Sequence, residues 1–255
     1  MKSTLVLAAA LLTAPFVTAA QGPLKEKALS LATSHKDSVL YLSAVVELEV
    51  TVGDNPAKKE ERKVEMIGTV IGADGLIVVP LSTLDIASAI DGRLVNTQQG
   101  QVKLAAKGTT KDVKILLPDG SEVEARVSFK DPDLDLAFIR PTKADSVKLV
   151  PVNIADSAPM SLLDDVIVLT RLGKDLNREP VVTTSEVISL ITQPRTFGKL
   201  SMQTLGTPVF NIDGKFVGLG VNRFSAKGDA ENQGGNPANV ILPAADLKES
   251  AAQAK

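Results

Sequence analysis

Three aspartates alternate in the run Asp131-Pro132-Asp133-Leu134-Asp135-Leu136-Ala137-Phe138-Ile139. Alternating carboxylates could ligate calcium, but an EF-hand loop also needs a glycine at its sixth position and a glutamate at its twelfth. Those positions hold Leu136 and Thr142, so no metal site is expected. Asp131-Pro132 reads as a turn, and Asp135 enters a strand. Nucleophilic chemistry has few other candidates. Without cysteine there is no thiolate nucleophile, thiolate metal site or disulfide. The single histidine, His35, sits in Thr33-Ser34-His35-Lys36-Asp37 and reads as an exposed helix end. Lys199 and Ser201 stand two apart and would share one face of a strand. A Ser–Lys dyad needs its lysine buried with a lowered pKa, and Lys199 reads instead as a solvated strand-end charge. Gly234-Gly235 is followed by no Lys-Ser/Thr, so it reads as a loop and not a phosphate cradle, and no cofactor is expected.

Composition narrows the remaining classes. Hydrophobic residues at 44% and charged residues at 23% are those of a folded chain. A formal charge of -2 argues against a basic nucleic-acid surface, and 3% aromatics argues against stacking platforms. Lys2, the apolar run Leu5 to Val17 and the small residues Thr18-Ala19-Ala20 have the layout of a secretory signal peptide. Cleavage is expected after Ala20, leaving no later membrane span and placing the protein in the periplasm or outside the cell.

The elements that must carry these residues are mostly strands. Residues 21–37 read as an N-terminal helical segment. Strands are expected over 39–50, 64–72, 75–79, 113–117, 121–129 and 134–139. After a proline-marked linker they follow over 165–170, 180–192, 199–202, 207–211, 215–222 and 238–242. Ala73-Asp74-Gly75, Pro118-Asp119-Gly120 and Ile212-Asp213-Gly214 mark tight turns. Residues 91–111 and 225–237 are polar and aperiodic and read as loops. Lys58 to Lys63 reads as a solvated hairpin end. A last helix is expected over 244–254. Two sets of six short strands predict an all-β fold of two antiparallel β-barrels with short N- and C-terminal helices. The first barrel would span 38–145 and the second, with the last helix, 146–255.

Four stretches in order resemble the trypsin-like serine protease domain of the HtrA/Deg class. Gly68-Thr69-Val70-Ile71-Gly72-Ala73-Asp74-Gly75-Leu76-Ile77-Val78-Val79 resembles the strand–turn–strand that leads to the catalytic histidine. Asp131 to Ile139 resembles the segment bearing the catalytic aspartate. Asp164 to Leu169, through Ser185-Glu186-Val187-Ile188-Ser189, resembles the opening of the second barrel. Gly206-Thr207-Pro208-Val209-Phe210-Asn211-Ile212-Asp213-Gly214 resembles the nucleophile loop and its hairpin. The resemblance places the histidine position on Ser82, the aspartate position on Asp135 and the nucleophile position on Leu205. Gln203 and Thr204 would complete the oxyanion loop, with Gln203 where the family has a glycine. Active relatives often carry a PDZ domain; none is expected here.

Asp135 alone retains the family's residue type. Leu205 has no hydroxyl to activate, and Ser82 cannot exchange a proton near neutral pH as imidazole does. The resemblance thus implies a catalytically inactive homologue that binds protein or extended peptide between its barrels or along a strand edge, as a scaffold or regulator. A hydrolase using Ser82, Ser201 or Thr204 as nucleophile is one alternative; a structural cell-envelope protein is another. Without a histidine partner, Asp135 is expected to hydrogen-bond Ser82 or nearby backbone N–H groups.

Overall fold

A computed structural model describes residues 22–98, 100–143, 146–223 and 237–254. The expected signal peptide, Gly234-Gly235 and nearly all of the expected loop 225–237 lie outside them. The first barrel contains β1 (Val39–Val52), β2 (Lys58–Val70), β3 (Ile77–Pro80), β5 (Gly100–Leu116), β6 (Glu122–Asp131) and β7 (Leu136–Pro141). Its order is β1-β2-β3-β7-β6-β5, closed by antiparallel pairing of β1 with β5, and a short β4 (Leu94–Thr97) hangs on the outside of β5. The second barrel is closed in the order β10-β13-β12-β11-β8-β9, from β8 (Asp165–Arg171), β9 (Pro180–Ile191), β10 (Phe197–Leu200), β11 (Pro208–Asn211), β12 (Phe216–Arg223) and β13 (Ala238–Pro243). Helices α1 (Pro23–Ser34) and α3 (Ala244–Ala251) flank the strands, and α2 (Leu81–Leu84) is a single turn. The architecture is thus two closed, six-stranded antiparallel barrels.

Apolar runs that do not alternate are buried on both faces. In β7, Ala137 and Ile139 point into the first barrel, while Leu136 and Phe138 join a second layer between the barrels. In β8, Val166 and Val168 fill the second barrel, while Ile167 and Leu169 face that same layer. Phe210, Phe216, Leu219, Val240 and Leu242 complete it, with Ala28 and Leu31 from α1 and Leu247 from α3. The layer fixes the two barrels against each other, so residues from both halves can share one site.

Residues 91–111, expected as a loop, instead contain β4 and most of β5. Their side chains carry little apolar periodicity because both faces of this stretch are largely solvated. Backbone pairing of 104–110 with 46–52 of β1 sets the strand. The charged run Lys58–Lys63 also lies within a strand, β2, paired with 45–50. The resulting three-stranded ribbon carries exposed cross-strand pairs, Lys59 with Glu49 and Lys111 with Glu47 and Glu61.

Candidate functional site

β3 ends at Pro80, and α2 turns the chain so that Ser82 lies half-buried at the top of the first barrel. The Leu81 N–H donates to the Asp135 carbonyl at 2.9 Å, which brings the entry to β7 beside α2. Asp135 precedes β7 in the left-handed region, at φ 58, a conformation aspartate tolerates better than most residues. From there Asp135, 6% exposed as a residue, accepts three bonds at its carboxyl group from two sequence-distant elements. Oδ1 accepts the Ser82 N–H at 2.6 Å, while Oδ2 accepts the Ser82 hydroxyl at 3.0 Å and the Asn222 N–H at 2.7 Å. The Asn222 amide Nδ2 then donates to Ser82 Oγ at 3.0 Å and closes a ring of bonds.

Burial pushes the Asp135 pKa up to about 6, although the three donors each favour its carboxylate. Near neutral pH the group is an anion held by two backbone N–H groups and one hydroxyl. The Ser82 hydroxyl gives its proton to that anion and fills its oxygen with the Asn222 amide. Asn222 carries no motif signal in the sequence. Its position two residues past Gly220, which faces Thr204 and Gly206, becomes visible only once β12 is placed.

Leu205 reaches the same strand by another route. It forms a parallel bridge with Gly220; Gly206 N–H donates to Gly220 O at 2.8 Å, and Gly220 N–H donates to Thr207 O at 3.0 Å. The loop is further held from inside. Thr204 is 1% exposed, and its N–H and hydroxyl both point at Asn239 Oδ1, at 2.8 and 3.2 Å. Asn239 Nδ2 donates to Val221 O at 3.1 Å. Thr207 Oγ1 caps Thr204 O at 2.6 Å. From the first barrel, the Thr69 hydroxyl binds Gly206 O at 2.9 Å. Gly206 has φ 75, and a Cβ there would run into the Ile67 carbonyl oxygen. Gln203 is exposed and is not among the residues with positive φ. A side chain penalises that region, and in this loop the positive φ is taken by Gly206.

The other sequence candidates lie apart. Lys199 Nζ donates to Asn239 O at 2.8 Å, whereas the Ser201 hydroxyl shares a 3.3 Å bond with Ser185, so the two are not joined as a dyad. His35, expected at an exposed helix end, is half-buried instead. Its ring stacks on Phe210 with centroids 5.8 Å apart, its Nδ1 lies 3.1 Å from Ser38 Oγ, and burial lowers its pKa. Among the described residues, no group of three or more histidines and carboxylates is placed to hold a metal ion.

A family model described as "Trypsin-like peptidase domain" matches residues 68–219, more than half of the chain. Among solved structures, the chain is similar to the MamO protease domain from Magnetospirillum magneticum in its apo form, at 14% identity and TM-score 0.51, over 85% of this chain and 96% of that one. It is similar to Deg5 at 18% identity and TM-score 0.54, over 88% and 92%. At these identities the likeness is one of fold. No curated protein matches the sequence.

Proposed function

The chain belongs to the trypsin-like peptidase domain family, and on that premise we propose that it is a catalytically inactive member, exported from the cytoplasm, that binds protein or extended peptide between its barrels. The observation that carries this reading is the closed ring of Ser82, Asp135 and Asn222. A serine protease needs a base that takes the nucleophile's proton and returns it to the leaving group, and an aspartate that orients the base. Here the aspartate orients a serine, and an asparagine amide occupies the serine's oxygen. The residue matching the nucleophile, Leu205, has no proton to give. Loss of triad members costs turnover on the order of a million-fold. A domain of this family that has lost this chemistry would keep binding of polypeptide as its remaining use.

One alternative nucleophile has an observation in its favour: the Ser82 hydroxyl lies 3.0 Å from a carboxylate that could act as its base. A carboxyl group with pKa near 6 is a feeble base towards an alcohol. Thr204 is buried with its hydroxyl on Asn239, and Ser201 has no base beside it among the described residues.

A fluorophosphonate probe followed by intact mass of the mature protein separates these readings. No adduct is expected. A stoichiometric adduct on Ser82 would replace the inactive reading with the hydrolase one. The binding half is tested with a library of immobilised unstructured peptides. Saturable binding weakened by Leu205→Arg supports it; no binding leaves a structural envelope role as the better account.

A further inference from the structure

We propose that the end of the second barrel where β8 begins is a docking surface for a polypeptide segment that carries lysine or arginine beside large aliphatic side chains. Asp165 of β8 and Glu186 of β9 stand directly opposite each other. Cross-strand partners share one face of a sheet, and like charges so placed destabilise it. Both face outward, because their neighbours Val166 and Val187 point into the barrel core. Both are exposed, and neither has an ion-pair or hydrogen-bond partner among the described residues. The same hairpin carries a second feature that costs stability. Leu163 N–H donates to the Val187 carbonyl at 2.9 Å, and Val187 N–H donates to the Asp164 carbonyl at 3.0 Å. Two residues thus oppose one, with Leu163 at φ 66, in the bulge whose first residue is ordinarily a left-handed glycine. A leucine there is strained, and burial does not offset the strain. Leu163 is 68% exposed, the most of any large apolar residue described.

Other apolar side chains flank the carboxylate pair. Ile188, two residues along β9 from Glu186, is exposed, and so is Leu162. On the other side of β8, β11 pairs Asn211 with Val166, which brings the next residue, the exposed Ile212, beside Asp165. The strands here are already paired to their neighbours in the closed barrel, so recognition falls to side chains. The occupant follows from charge. Aliphatic surface alone accepts any apolar partner, whereas the carboxylate pair repels acids and selects cations. A second copy docking by this face would bring four carboxylates together, since a two-fold contact sets a patch against itself. A basic, aliphatic segment covers the exposed leucines and isoleucines and relieves the like-charge pair. Strain kept at an exposed apolar residue points to a partner, because nothing inside the barrel gains from it. The surface is remote from the Ser82 ring: Ile212 precedes the start of β12, and Asn222 lies near its far end.

The test is fluorescence anisotropy of the mature protein with fluorescein-labelled Ser-Leu-Ser-Leu-Ser-Lys-Ser-Lys-Ser amide, whose extended chain sets leucines and lysines on one face. Two counterparts replace both lysines by glutamate or both leucines by serine. Saturable binding of the first peptide is expected, with each counterpart at least about ten-fold weaker. Leu163→Gly, and Asp165→Asn with Glu186→Gln, should each weaken binding about ten-fold. Neither change should lower the melting temperature, since the first relieves a left-handed leucine and the second a like-charge pair. The proposal is overturned by absence of saturable binding, by equal binding of the glutamate peptide, or by indifference to either variant. A melting temperature lowered by Leu163→Gly would make the leucine a packing residue and overturn it as well. A dimer seen by light scattering and lost in Leu163→Gly would make the occupant a second copy instead. Leu205→Arg should leave this binding unchanged, and loss there would assign the peptide to the cleft. None of these variants touches the Ser82 ring, so the two proposals fail separately.

Discussion

The Asn222 N–H meets Asp135 Oδ2 at 2.7 Å across 87 residues of sequence, tying the second barrel to the first at one buried carboxylate. Three donors converge on that carboxylate, and the burial they require raises its pKa to about 6. The resulting site is tied together by its own hydrogen bonds, which shapes what substitutions should do.

The linkage of Asp135 has a definite sign. Its folded pKa lies above the unfolded value of roughly 3.9, so the folded state binds the proton more tightly. The stability it contributes is fully present below about pH 4 and is lost as pH rises through about 6, by on the order of 3 kcal/mol. Asp74, held below its usual range by Arg140, acts oppositely and costs stability in acid. Urea unfolding of wild type and Asp135→Asn from pH 4 to 8 isolates the first effect. The wild-type advantage should shrink as pH rises, and a flat difference would contradict the raised pKa.

Placing imidazole where Ser82 stands should not restore a triad. Ser82→His has to displace the Asn222 amide and is expected to cost about 1–3 kcal/mol. Asn222→Ala alone removes the bond to Ser82 Oγ and should cost about 1 kcal/mol. In a double-mutant cycle, Ser82→His with Asn222→Ala should be more stable than the sum of the two, because the second change makes room for the first. Additive costs would mean that the amide does not occupy the space the imidazole needs.

Gly206 is where the Leu205 loop touches the first barrel. Gly206→Ala would meet both a positive φ and the Ile67 carbonyl. The strain of the first alone is about 1 kcal/mol, and the clash adds to it. Thermal unfolding should drop by several degrees, with the exchange of amides in 204–207 accelerated first. An unchanged melting curve would show that the loop is free to move off Ile67.

Arg171 anchors the start of the folded chain. Its guanidinium donates to the carbonyls of Lys36 and Val39, and at 2.9 Å to that of Arg178, while Asp37 lies 3.7 Å away. A lysine has no planar fork to reach all three carbonyls. Arg171→Lys is expected to cost about 3 kcal/mol by leaving the buried Val39 carbonyl and the partly buried bonds to Lys36 and Arg178 without their donor. In a chain of this size that lowers the melting temperature by roughly 6–12 °C. Exchange at 36–39 should become fast, and if those amides stay protected the anchor lies elsewhere.

Much of the fold could be read from side chains because each signal was local. The three Asp-Gly turns appear with their glycines at positive φ, and the apolar runs Ile77–Val79, Leu136–Ile139 and Val166–Leu169 mark strands buried on both faces. The stretch 100–112 gave no such signal. Its strand is specified by backbone pairing to β1, which leaves no trace in hydropathy when both faces are wet.

The candidate site divides in the same way. Residue types alone determined that Leu205 has no nucleophilic atom and that a single histidine sits far from the family motif. The family resemblance made Asp135 and Ser82 candidates for contact. Tertiary structure decided that Asn222 completes the ring and that Asn239 locks Thr204. Hydrogen-bond partners separated by tens of residues are selected by distance and angle after the barrels have packed. A sequence holds the donors and acceptors, and only the packed chain decides which of them meet.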